Sequence, residues 1–177
     1  MSGMSTKFIY ALILTVIGTL MSLLLYFTGY QTEKLATGEK IQSIGLLIMF
    51  IVLWLGTKAV RDESEPPVMS YGKGVGTGVL ISLYSGLMSA IYSFIHLKLI
   101  NVNFADYKIE LLRGQWVEKG MNDAQVEQAE HFARMMMGPV FSAVFTLIFM
   151  VFTGLIMSLI ISAFLKRKTP ENGNADA

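Results

Sequence analysis

The segment "GKGVGTGVLISLYSGLMSAIYSFIH", Gly72 to His96, opens with a glycine at every second position and continues as a long uncharged run. Repeated glycines can cradle a phosphate, but a Walker loop needs a glycine five residues before its Gly-Lys pair. Pro67 occupies that position here. A dinucleotide fingerprint needs a preceding strand within a soluble βαβ unit, and the flanking sequence supplies neither. The segment therefore indicates a membrane helix rather than a nucleotide-binding loop.

Small residues recur at every fourth position of this segment, a spacing that lets a second membrane helix approach closely. This ladder consists of Gly74, Gly78, Ser82, Gly86 and Ala90. Polar residues extend the same side of the predicted helix as a possible lining, namely Ser85, Ser89, Tyr92, Ser93 and His96. Three uses of this surface remain open: packing within the chain, a homodimer interface, or a ligand-lined cavity.

The chain as a whole is poor in charge, since 53% of its 177 residues are hydrophobic and 15% are charged. Soluble domains carry about 25% charged residues. Four windows lack charge entirely, and each reaches the roughly 17–25 residues that a helix needs to cross a bilayer. We therefore predict an all-α polytopic membrane protein, a bundle of four transmembrane helices. The predicted spans lie at about 8–28, 41–57, 74–97 and 140–165.

The segment between the third and fourth spans has the pattern of two amphipathic helices at about 103–137. Asn122 and Gln125 have the spacing of a capping box at the start of the second helix. In that helix Val126, Ala129, Phe132, Ala133, Met136 and Met137 share one side. We expect the pair to lie on the membrane surface or to cap the bundle; a partner-binding surface is the alternative.

Residues 1–168 are predicted to form one transmembrane domain, and residues 169–177 a disordered tail. An even number of spans puts both termini on one side. The 14 Lys and Arg residues divide evenly between the two sides, but those on the terminal side cluster beside span ends. We therefore expect both termini in the cytoplasm of a bacterium, with the amphipathic pair outside.

Chemistry is sparse in this sequence. The chain has no cysteine and a net charge of +1, without a basic cluster for nucleic acid. None of the predicted spans contains Asp, Glu, Lys or Arg, the residues that mark ion pathways. His96 is either an interfacial hydrogen-bonding residue or a proton relay, and His131 with Glu127 or Glu130 is too small a set for a metal site. We expect no enzyme activity, no catalytic residues, no cofactor and no metal.

The sequence also resembles a known family. The resemblance is carried by "MSYGKGVGTGVLISLYSGLMSAIYSFIHLKLINVNF", then "MNDAQVEQAEHFARMMMGP", then "SLIISAFLKRK". Together these are similar to the uncharacterised Bacteroidetes membrane family called domain of unknown function four-one-nine-nine. The resemblance implies a bacterial inner-membrane protein with four spans, and it implies no activity and no functional residues. At 100–104 the chain reads "INVNF" where an acidic-proline pair would be expected.

The leading hypothesis is a structural or accessory membrane subunit that acts through helix packing, with the lipid bilayer and either a second copy or another membrane protein as its partners. The alternative is a small oligomeric transporter or channel subunit whose path would be lined by the polar residues of the third span. The contacts of Ser85, Ser89 and Tyr92 distinguish the two.

Overall fold

The computed structural model describes residues 3–167, which form seven α-helices joined by short connections. The helices are α1 Gly3–Phe27, α2 Leu35–Gln42, α3 Ile44–Asp62, α4 Tyr71–Ile95, α5 Phe104–Glu118, α6 Asp123–Met136 and α7 Pro139–Leu165. A π-helical turn, His96–Ile100, continues α4. The predicted tail and Lys168 lie outside the described residues.

The predicted all-α fold with four spans is confirmed. Four helical stretches are long and apolar enough to cross a membrane. They are Thr6–Phe27, Leu35–Asp62, Tyr71–Ile100 and Pro139–Leu165. Large apolar side chains such as Phe27, Leu24 and Phe164 remain exposed on their outer faces, as expected where lipid replaces a protein neighbour.

The helices extend beyond the uncharged windows. The expected second span, 41–57, is preceded by α2 within the supposed polar link, and α3 runs past Thr57 to Asp62. Leu35 is buried in α2, so this short helix gains packing that a polar link would lack. Charged residues are helical at both ends of the Leu35–Asp62 stretch, whereas the predicted span at 41–57 contains none.

The four spanning helices enclose one interior, and α4 packs against the other three. α4 contacts α1, α3 and α7, and its most extensive contact is with α7. The largest core cluster comprises Ala11, Leu14, Met49, Val52, Leu53, Ile81, Ile161 and Leu165. These residues come from all four spanning helices, so the bundle closes around one apolar interior.

At one end of the bundle, α5 and α6 form a hairpin that buries Ile109, Val126 and Ala133. The capping box predicted at Asn122 is present, with Gln125 N donating to Asn122 Oδ1 and Asn122 N to Gln125 Oε1, both at 3.0 Å. Lys108 of α5 pairs with Glu39 of α2, which ties the hairpin to the bundle.

Candidate functional site

Helices α4 and α7 are antiparallel and pack through small residues that recur at every fourth position on both helices. Gly74 faces Ser162, Gly78 faces Ser158, and Ser82 faces Gly154. Each step of four along α4 thus meets a step of four back along α7. We call these six residues and Gly86, which faces Leu147 and Met150, the glycine–serine seam.

The close approach at the seam depends on the missing side chains. A Cβ atom added at Gly78 would lie 2.0 Å from Ser158 Oγ, and one added at Gly154 would lie 1.9 Å from Ser82 Oγ. Real Cβ atoms do not come that near to another atom, so the two helices would have to separate. Each serine therefore occupies the space that a glycine leaves on the opposite helix.

Two of the three seam hydroxyls are satisfied within their own helices. Ser82 Oγ donates to Gly78 O at 2.9 Å and Ser158 Oγ donates to Gly154 O at 2.5 Å. This return to the carbonyl of the preceding turn is the usual solution for serine in a membrane helix. Ser162 Oγ is buried without a hydrogen-bond partner. The seam therefore joins the helices by van der Waals contact rather than by hydrogen bonds between them.

The remaining polar positions of α4 have different surroundings. Ser85 is fully buried, and its Oγ lies 3.0 Å from Thr15 Oγ1 of α1. Thr15 Oγ1 already donates to Ala11 O at 2.9 Å, so Ser85 is the donor between the two hydroxyls. Ala90, Ser89 and Ser93 are half-buried. Ser85 is thus engaged by α1, whereas Ser89 and Ser93 of the predicted lining are only partly covered.

His96 lies at the far end of α4 within a polar cluster where α1, the 28–34 turn and the π-helical turn converge. It is buried, with 4% of its surface exposed. Its Nε2 lies 2.8 Å from Gln31 Oε1, and its Nδ1 lies 3.0 Å from the Tyr92 hydroxyl. The Tyr26 ring approaches it edge-on, with ring centroids 5.7 Å apart.

Gln31 links three elements through this cluster. Its Nε2 donates to Ser22 Oγ of α1 at 3.2 Å, and its backbone carbonyl accepts from Asn101 Nδ2 at 3.2 Å. Because Nε2 faces Ser22, Oε1 faces His96 and accepts from His96 Nε2–H. In the neutral imidazole, Nδ1 then accepts from the Tyr92 hydroxyl and the proton lies on Nε2.

Sequence reasoning missed the partners of His96. Gln31 stood in a supposed polar link, and Asn101 in the "INVNF" segment where the family pattern was not followed. No periodic signal joins a glutamine to a histidine 65 positions away. The π-helical turn was equally hidden, although such turns often occur where a side chain must be re-aimed at a functional position.

A second missed feature lies at the opposite end of the bundle. Arg61 was expected only to orient the chain, yet it is buried, with 6% of its surface exposed. Its Nη2 lies 2.7 Å from Asp62 Oδ1. Thr57, one turn earlier on α3, has a buried hydroxyl without a partner. Met69 and Arg167 exchange two backbone hydrogen bonds at this end, at 3.2 and 3.0 Å, which fasten the α3–α4 connection to the end of α7.

Metal ligands do not assemble in the part of the chain that the structure describes. No three His, Cys, Asp or Glu side chains there lie close enough to hold an ion. His131 is exposed on α6, and Glu130 turns to Arg113 of α5, with 3.4 Å between Oε1 and Nε. Among the described residues, His96 is engaged in hydrogen bonds with Tyr92 and Gln31 and belongs to no cluster of three metal-ligating side chains.

Comparison with known proteins gives one match. No curated protein and no solved structure matches the chain. A family model described as a protein of unknown function, DUF4199, matches residues 9–167, which include most of α1, the other spanning helices and the α5–α6 hairpin. The chain accordingly belongs to the DUF4199 family of proteins of unknown function.

Proposed function

We propose that this membrane protein is a structural or accessory subunit that acts through helix packing. The observation that carries the proposal is the glycine–serine seam. Its small residues are used up by contact between α4 and α7 of the same chain, and two of its three serine hydroxyls bond to their own helix. A seam of this kind gives a rigid, closed bundle, which suits a protein that holds or positions another.

The contact of Ser85 supports the same reading. A transport path would need polar groups that face water, whereas Ser85 Oγ faces Thr15 of α1 and is fully buried. Asp, Glu, Lys and Arg are absent from residues 8–27 of α1 and from all of α7. Coupled ion movement ordinarily uses such a residue.

Purification in mild detergent, with the mass of the complex measured and its components identified, tests the proposal. A stoichiometric membrane partner that survives purification supports an accessory role. A chain recovered alone, at monomer mass and under conditions that preserve membrane complexes, contradicts it.

A small oligomeric transporter or channel is the second candidate, favoured by polar groups at both ends of the interior. Thr57 and Ser162 carry buried hydroxyls without partners, and the His96 cluster lies at the other end. Proton or small-solute flux into liposomes that contain the purified protein tests this candidate. Flux that Ser85→Leu abolishes, while the protein stays folded, would favour transport over a packing role.

We also propose that the chain resides in a bacterial cytoplasmic membrane with both termini in the cytoplasm. The support is the grouping of cations at the terminal end of the bundle, where Lys58, Arg61, Lys73 and Lys166 flank the spans. Single cysteines introduced at Glu65 and at Glu118 should differ in labelling by a membrane-impermeant maleimide. In intact cells only Glu118→Cys should react, and the reverse pattern would invert the orientation.

A further inference from the structure

The outer face of α6 changes character along its length. Toward its start most exposed residues are polar, including Glu127 and Gln128. In its last two turns Phe132 and Met135 are 57% and 56% exposed. These two residues are three positions apart and therefore share one side of the helix.

This apolar strip leads directly into the membrane-spanning surface. Only Met137 and Gly138 separate α6 from α7. Exposed apolar residues near the start of α7 include Val140 and Val144, which are 67% and 54% exposed. The other junction of the hairpin is similar, because Leu99 is exposed where the chain leaves α4. Exposed apolar residues thus continue from the start of α7 across this junction into the last two turns of α6.

The charged residues in the same turns of α6 face another way. Arg134 Nη1 donates to Asp106 Oδ1 of α5 at 2.6 Å, and Glu130 pairs with Arg113 of α5. The cation and the carboxylate nearest to the strip are therefore engaged by α5. The exposed groups of these turns that α5 does not engage are Phe132, Met135 and His131, of which Phe132 and Met135 are apolar.

From this continuity we infer that the last two turns of α6 lie in the bilayer interface, with Phe132 and Met135 inserted among the lipid chains. The partner of this surface is the lipid of the same membrane rather than another protein. An interfacial helix buries its apolar face by about 5–10 Å at the headgroup boundary. The inference decides between the two expectations for the 103–137 segment, and it does not depend on the proposed function.

The chain contains no cysteine, so single-cysteine spin labelling tests the inference without other substitutions. Labels would be attached to Phe132→Cys and Met135→Cys in protein reconstituted into phosphatidylcholine nanodiscs. Glu127→Cys serves as the exposed polar control, and Ile148→Cys, on the outer face of α7, serves as the lipid reference. Collision rates with oxygen, which concentrates in lipid, are compared with those of a water-soluble nickel chelate.

The inference requires the labels at 132 and 135 to resemble the one at 148, with oxygen collisions several-fold in excess of chelate collisions. The label at 127 should show the opposite ratio. Chelate access at 132 and 135 equal to that at 127 would overturn the inference. Labels shielded from both reagents that become accessible at a lower protein-to-lipid ratio would identify a second copy as the occupant and would overturn it as well. Circular dichroism of each variant confirms that the helices are retained.

Discussion

At Gly78 the close approach of α4 and α7 depends on the absence of a side chain, since glycine carries only a hydrogen atom where other residues carry Cβ. The Ser158 hydroxyl fills the space that a side chain would take, and a Cβ atom there would lie 2.0 Å from it. Gly76, two positions earlier on the same helix, has nothing within 4 Å of the same added atom. The pair separates the effect of packing from the helix propensity of glycine.

Gly78→Leu should therefore destabilise the bundle, whereas Gly76→Leu should not. Overpacking of this kind costs about 1–3 kcal/mol, because α4 and α7 must move apart and lose contact along the seam. Thermal denaturation in detergent, followed by the fraction that remains monodisperse on size exclusion, measures the difference. Equal melting temperatures for the two variants would show that the seam does not hold α4 and α7 together.

Gln31 has comparable weight at the other end of α4, because its side chain contacts both Ser22 and His96. Gln31→Leu should lower the free energy of unfolding by about 1–3 kcal/mol, the cost of leaving buried polar groups without partners. Gln115→Leu, at an exposed position of α5, is the matched control and should be neutral. Limited proteolysis within the 28–34 turn gives a second readout, and an uncleaved turn in Gln31→Leu would contradict this role.

The histidine itself carries a prediction about its tautomer. The side-chain oxygen of Gln31, Oε1, faces Nε2 of His96, and the Tyr92 hydroxyl faces Nδ1. The neutral ring should therefore carry its proton on Nε2. Nitrogen NMR of histidine-labelled protein distinguishes the two ring nitrogens, and the exposed His131 provides an internal comparison. A signal from a protonated Nδ1 in the neutral ring would mean that the hydrogen bonds are arranged differently.

At the scale of the helices, the seam contains the same glycine–serine contact twice, with the glycine on α4 in one pair and on α7 in the other. Gly78 of α4 receives Ser158 of α7, and Gly154 of α7 receives Ser82 of α4. Both serine hydroxyls donate a hydrogen bond to the backbone carbonyl one turn earlier in their own helix. At each such pair, it should therefore be possible to exchange the glycine and the serine between the two helices.

Exchanging the pair tests the register directly. Gly78→Ser alone places two hydroxyls in one space, and Ser158→Gly alone leaves a void, so each should destabilise the protein. The double variant should recover stability beyond the sum of the single effects, with a coupling of about 0.5–3 kcal/mol. Unfolding of the four proteins of the cycle under identical detergent conditions supplies the value. Strict additivity would mean that residues 78 and 158 do not meet.

At the scale of the whole molecule, α3 and α4 each contact the three other spanning helices, and the most extensive contact joins α4 to α7. The glycines of the α4 ladder from Gly74 to Gly86 face α7. The same surface is then not available to a second copy of the chain, which bears on whether the ladder could serve as a dimer interface.

Accordingly, Gly78→Leu should change stability without changing the oligomeric mass of the folded fraction. Light scattering coupled to size exclusion, with correction for bound detergent, measures that mass for the parent chain, Gly78→Leu and Gly76→Leu. A fall in mass confined to Gly78→Leu, with helical content retained, would place the ladder between chains instead of within one.

Length and composition alone determined the number of spans, because an uncharged window either is or is not long enough to cross a bilayer. The four-residue repeat of Gly74 to Gly86 and the capping box at Asn122 were also legible, since both depend on neighbours within a turn or two of one helix. What only the tertiary structure decided is which partners those residues meet. Three features depend on where distant helices lie. The Gly74–Gly86 ladder packs against α7, Gln31 bonds to His96 although 65 positions separate them, and Arg61 is buried. Such contacts arise from the mutual fit of surfaces, a property that no local spacing records.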